Sequence, residues 1–145
     1  MAYLEQKGAL NPGPPEVVAV EEARDRVTAA PVYARVSSPH YHAAAMDGYA
    51  VRAALTFGAS ETAPRRLAVG SEAVMVDTGD PLPEGCDAVI MVEDVHFVSP
   101  EVIEITQPVY PWQHVRPIGE DIVATEMIVP ANHRVRPMDI GGLLA

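Results

Sequence analysis

A single cysteine, Cys86, stands in 145 residues, so no internal disulfide framework is possible and a cysteine-based zinc site has too few ligands. One thiol fits a reducing compartment, and the cytoplasm is the expected location. Lysine is equally scarce: Lys7 is the only one, and ten basic residues face twenty acidic ones for a formal charge of −10. Such a surface repels phosphate backbones, so no nucleic-acid partner is expected. By the same reasoning, the basic groups or metal cation that would hold an anionic ligand must come from outside this chain. No window approaches the length of apolar run that a membrane-spanning helix needs, so no membrane partner is expected. The opening stretch MAYLEQKGALNPGPP has no apolar core behind a basic patch, so a secretory signal is not expected either. Phosphate cradles of the GxxxxGK[ST] and GxGxxG kinds are absent, as is a GxSxG nucleophile elbow.

What is present is proline and β-branched residues. The fourteen prolines are about twice the average usage, and they punctuate the whole length. Proline breaks helices and tolerates turns and strand edges, so this spacing predicts many short strands. Twenty valines and seven isoleucines suit the same pleated surfaces. The predicted fold is mainly β with one or two short helices. One helix is assigned to 20–27, where Val20, Ala23 and Val27 share a face and acids precede arginines along the dipole. The flanking EVVAV and APVYARV read as strands. Further strands are predicted after AMDG, at RRLAV, in EAVMV and in the continuous apolar run of 88–92, which suits burial on both faces. VHFV and EVIEI form a hairpin about SPE. EMIVP and HRVRP are expected to pair with each other through Ala131 and Asn132, with Asn132 left-handed.

Several groups of residues carry possible chemistry. His40, His42 and Asp47 have the look of a metal site, but no second cluster completes it, and a polar loop over the sheet is the plainer reading. Cys86 has no histidine or basic neighbour and reads as a small apolar residue beginning a strand. Trp112 is either a stacking platform or, as a lone tryptophan more often is, a core or interface anchor. AMDGYAV sets the turn-forming pair Asp47–Gly48 directly ahead of a strand. VDTGDPLPEGCDAV spends about ten residues joining two strands where a plain hairpin needs two to five, and it stiffens them with Pro81 and Pro83. Both stretches are functional loops or elaborate turns. In VRPIGEDI, Arg116, Glu120 and Asp121 surround Gly119, which by itself is read as a local ion pair with a cap.

Together, SSPHYHAAAMDGYAVR, VDTGDPLPEGCDAVIMVED and VRPIGEDI…DIGGLLA resemble the N-terminal region of the molybdopterin molybdenumtransferase family, the MoeA family, whose animal counterpart is the gephyrin E domain. The three motifs occur in the family's order, and the resemblance covers the chain from about Glu16 to Ala145. It implies an extended domain made from both ends, residues 1–37 and 122–145, with a β-rich domain inserted at 38–121. It implies a homodimeric enzyme that inserts molybdate into adenylylated molybdopterin with Mg²⁺. It also implies that a pterin-binding domain is required beyond Ala145 or on a separate subunit, so that this chain alone does not turn over.

Three catalytic positions carry over with the resemblance: Asp47 from MDGYA, Thr78 from TGxPLPEG and Asp121 from GED. Gly79, Arg116 and Glu120, inside the same motifs, are read as substrate-binding candidates, and no metal ligand is assigned. The family's cleft is completed by another subunit, which agrees with the deficit of cations noted above. Thr125 and Asn132 stand where the family commonly has glycine. The competing reading is a non-catalytic module on the same scaffold that senses molybdate or pterin, or organises partners.

Overall fold

A computed structural model describes residues 13–145. The structure is mainly β, as expected: ten short strands, three single 3₁₀ turns and one α-helix occur among the described residues. The chain divides into two units. One is Arg35–Thr125; the other is made from both ends, Met1–Ala34 and Glu126–Ala145.

The unit from both ends is an antiparallel ribbon carrying a helix. Strand β1 (Val32–Tyr33) pairs with β10 (Met127–Val129), and a bridge joins Val27 to Arg134 further along. Thr28 ties the ribbon together: its hydroxyl donates to Pro130 O at 2.6 Å and accepts from the His133 N–H at 2.9 Å. The expected helix over 20–27 is replaced by one 3₁₀ turn, Val20–Glu22. Asp25 turns to φ 64°, its N–H goes to Val135 O, and Val27 is exposed. So short a helix has little stability of its own, and the backbone groups it would need are used across the ribbon. EVVAV likewise forms no strand. The predicted pairing of EMIVP with HRVRP does not form, because both run along 25–34 instead. Asn132 is left-handed at φ 58°, as expected, but its N–H bonds to Thr28 O, which continues the ribbon instead of reversing the chain. The α-helix α1 (Pro137–Leu144) lies where none was assigned. Pro137 begins it, and Asp139 caps it by accepting the Arg136 N–H at 2.8 Å.

The central unit is layered. Strand β3 (Gly48–Val51) is the middle of an antiparallel sheet, between β5 (Ala73–Val76) and β6 (Ala88–Met91). All four β3 residues are buried, as strand alternation on a doubly covered sheet requires. Tyr49 and Val51 point into one apolar cluster with Ala73, Ala88 and Ile90. That cluster is closed by Leu67, Ile103 and Ile105 from a second sheet, β4 (Arg65–Ala68), β8 (Val102–Ile105) and β7 (His96–Ser99). β7 and β8 are the predicted hairpin. Ala50 points the other way, to Val76, Val89 and Val115, with Leu82 and Cys86 packed alongside. This second face is covered in part by the short pair β2 (Ala43–Ala44) and β9 (Val115–Arg116), neither of which the composition signals. Thr56 is the single buried polar side chain among the described residues. Its hydroxyl donates to Ala53 O at 2.7 Å and accepts from the Val109 N–H at 3.0 Å.

Candidate functional site

The two loops that exceed ordinary turns meet at Asp47. A Cβ on Gly48 would lie 2.0 Å from Ile90 O and 2.9 Å from Val92 N, so only glycine lets β3 approach β6 here. Asp47 is thereby pinned at the start of the sheet's middle strand, its carbonyl accepting the Val92 N–H at 3.1 Å. Its carboxylate Oδ1 accepts from both the backbone N–H of Thr78 (2.6 Å) and the Thr78 hydroxyl (2.7 Å). Those hydrogen bonds, the side-chain one first, hold the Asp47 carboxyl below the usual carboxylate range. Asp47 is therefore an anion at neutral pH, unsuited to donating a proton. Because the Thr78 hydroxyl spends its hydrogen on Asp47, its remaining lone pairs can only accept.

The loop from Asp77 to Asp87 is fastened, not slack. Asp80 Oδ2 accepts the Asp77 N–H at 2.9 Å, and the Gly79 N–H reaches Ala44 O at 2.8 Å. Gly79 itself sits at φ 96°, open to solvent on the side where a Cβ would stand. The Ala44 N–H returns to Asp80 O, the Leu82 N–H reaches His42 O, and the Tyr41 hydroxyl donates to Gly79 O at 3.2 Å.

On the other side of β2 lies the VRPIGED turn. Ala43 pairs with Arg116 on β9. The Arg116 guanidinium donates through Nε to Glu120 Oε2 at 2.9 Å and through Nη2 to Asp121 Oδ2 at 2.7 Å. These partners, Glu120 first, push the arginine's pKa up, so it stays charged. Gly119 takes φ 74° at the head of the turn, and the Asp121 N–H is held by Ser38 O. The structure thus joins Asp47 to Thr78 and Gly79, and joins Arg116 to Glu120 and Asp121. β2 carries both groups, and no hydrogen bond is made between them among the described residues.

Two residues escaped assignment as site residues. His42 Nδ1 accepts the Ile118 N–H at 3.1 Å, and its ring lies 4.8 Å from that of Trp112. Trp112 is not a core anchor, being 53% exposed. The sequence offers His42 as a metal candidate and Trp112 as a stacking platform or an anchor, and their contact with each other carries no signal in it. Cys86, expected to begin a strand, is half-buried two residues ahead of β6, and burial pushes its thiol pKa up. His40, His42 and Asp47 do not assemble, and no group of three or more metal-binding side chains occurs among the described residues. No helix among them is long and apolar enough to cross a membrane.

Fold and loops together define a β-rich module that presents carboxylates and a threonine from rigid turns. The family described as "MoeA N-terminal region (domain I and II)" matches residues 2–145, and the chain belongs to it. A protein of Methanocaldococcus jannaschii assigned to molybdopterin biosynthesis is 37% identical over 133 residues, covering 87% of this chain and 33% of its own. The molybdopterin molybdenumtransferase of Haemophilus influenzae is 29% identical over 135 residues, covering 86% of this chain and 33% of its own. The crystal structure of a molybdopterin biosynthesis MoeA protein from Pyrococcus horikoshii superposes with a TM-score of 0.83 at 33% identity. That match covers 89% of this chain and 38% of the other. The chain spans about a third of the length of these relatives.

Proposed function

We propose that this chain acts in the cytoplasm, in molybdenum cofactor biosynthesis, as the domain I and II part of a molybdopterin molybdenumtransferase. It contributes one wall of a site where molybdate is inserted into adenylylated molybdopterin. The observation that carries this reading is the pair of short hydrogen bonds from Thr78 to Asp47, which unites two motifs 31 residues apart.

The chemistry of the wall sets its role. Asp47 and Thr78 together offer acceptors and no donor, so they suit amino or ring N–H groups or metal-bound water, and they do not suit molybdate or phosphate oxygens. Arg116, the cation of the VRPIGED turn, is engaged by two carboxylates. The groups that hold the anions must therefore be supplied by another domain or subunit, as the charge of −10 also requires.

No group of three or more metal-binding side chains occurs among the described residues, and Mg²⁺ is assigned no ligand on this chain. Mg²⁺ is instead expected to enter with the substrate's phosphates, its usual mode, and no step here depends on it. Assembly as a homodimer is supported by the unit built from both ends. Among its described residues, Ala34, Val129 and Val135 are the buried apolar ones, while Tyr33, Met127, Met138 and Leu144 are at least half exposed.

The test is molybdate insertion by the intact enzyme, read as activation of a molybdenum-free apoenzyme. Asp47→Ala and Thr78→Val are each expected to lower the rate roughly hundredfold, the scale of a misplaced reacting group. Unchanged rates in both would remove this wall from the site. Pterin binding without any turnover would move the sensing or scaffold reading ahead.

A further inference from the structure

We propose that Trp112 and His42 form an aromatic shelf that stacks the planar, amino-bearing nitrogen heterocycle of a ligand beside the Arg116–Glu120–Asp121 turn. The inference rests on the functional reading above and identifies which end of the ligand this chain grips.

Trp112 is the only tryptophan of the chain, and it is held out of the core by its backbone. It adopts φ 68°, and His114, two residues later, adopts φ 55°, a region that glycine enters freely and bulky residues rarely do. The strand-like anchoring around it is firm: the Trp112 N–H donates to Asp87 O at 2.6 Å, and Gln113 O accepts the Val89 N–H at 3.0 Å. His114 Nδ1 donates to Val89 O at 3.0 Å, which fixes that ring as well. Trp112 therefore combines backbone strain with large exposed apolar surface, and neither stabilises the fold. A residue kept under both penalties is best explained by what it touches in another molecule.

One side of the indole is backed by His42, with centroids 4.8 Å apart and planes tilted by 59°. His42 cannot swing freely, because its Nδ1 holds the Ile118 N–H. Ile118 lies inside the turn that carries Glu120, so shelf and turn are one connected surface. Glu120 and Asp121 keep acceptor lone pairs beyond those used by Arg116, and these match ring N–H and amino groups. Their negative charge repels phosphate and leaves neutral rings unaffected. A stacked ring therefore places any phosphate away from this chain. Both pterin and adenine have the required chemistry.

The lone indole is its own reporter. The 145-residue chain is titrated with pterin and, separately, with adenosine monophosphate. Its fluorescence is followed against free N-acetyltryptophanamide to correct for light absorbed by the ligand. Saturable quenching is expected with at least one probe, and the stronger one names the ring. Binding is measured in parallel by equilibrium dialysis. Trp112→Gly is expected to melt at the same temperature as wild type or higher, since φ 68° suits glycine, while binding falls roughly tenfold, the scale of one lost aromatic stack. His42→Ala keeps the reporter and is expected to weaken quenching in the same direction. The proposal is overturned by an absence of saturable quenching at millimolar ligand. It is also overturned if Trp112→Gly melts lower and binds unchanged, or if it alters self-association in place of binding. Dialysis binding that leaves Trp112 unquenched removes the shelf but spares the functional reading. Absence of binding together with absence of molybdate insertion by the intact enzyme removes both.

Discussion

Gly48→Ala isolates the contact that sets Asp47 in place. An added Cβ would sit 2.0 Å from Ile90 O, 2.9 Å from Val92 N and 3.0 Å from Ile90 C. All three are backbone atoms, so no change of rotamer relieves the clash. Carbon-to-oxygen contacts settle at about 3.3 Å or more, so β6 must retreat by roughly 1.3 Å. That retreat opens a ladder in which Val89 and Ile90 are buried. Overpacking costs about 1–3 kcal/mol where side chains can yield, and backbone against backbone places this variant near about 3 kcal/mol. For a domain of this size the melting temperature falls by about 4–8 °C per kcal/mol, so a loss of roughly 12–24 °C is expected. Near-ultraviolet circular dichroism on heating reads it. Gly79→Ala is the internal control: nothing lies within 4 Å of its Cβ and only φ 96° opposes the change. It should lose only the left-handed penalty, about 1–2 kcal/mol. If Gly48→Ala melts within about 4 °C of wild type, or no lower than Gly79→Ala, the steric argument is wrong.

Thr56→Val strands the Val109 N–H in the core and should cost about 1–3 kcal/mol in urea denaturation, and a midpoint equal to wild type would refute it. Thr125, a β-branched residue at φ 74°, is strained, so Thr125→Gly should gain about 1 kcal/mol, whereas a loss in the same assay would mean its side chain has an unrecognised anchoring role. Because the folded pKa of Asp47 is depressed, its contribution to stability is complete above the ordinary carboxylate pKa and disappears as pH falls through the depressed one. Urea midpoints of wild type and Asp47→Asn should therefore converge on acidification, and a gap independent of pH would show that the Thr78 hydrogen bonds do not depend on the charge.

The central unit was more legible than the ends because its strands bury residues on both sides of a sheet. Ala88–Met91 stands out as a continuous apolar run, and β7 and β8 announce themselves by alternation about a turn. The ends carry no such pattern. Residues 20–27 have helical spacing, yet Asp25 and Arg26 find backbone partners 110 and 109 positions away, both in Val135, which no local rule can see. The helix Pro137–Leu144 was hidden by Gly141 and Gly142, both poor helix formers, although the Pro137 start and the Asp139 cap were present to be read.

The candidate site shows the same division between local and distant signals. Asp47–Gly48 and the long proline-stiffened loop are local departures from ordinary turns, and each is visible alone. Their meeting is not visible, because it depends on β2, two alanines with no strand signature. Ala44 takes the Gly79 N–H while Ala43 pairs with Arg116, so this one short segment sets the spacing between the Thr78 loop and the Glu120 turn. Small side chains are what the position demands: Ala43 and Ala44 are both buried, with Ala44 packed against Val89 and Val115 on the second face of the sheet. A larger residue at Ala44 would press on that core and shift both loops together. The residues that decide where Asp47, Thr78 and Asp121 stand are therefore apolar or lack a side chain, and their influence acts through backbone contacts instead of through chemistry of their own.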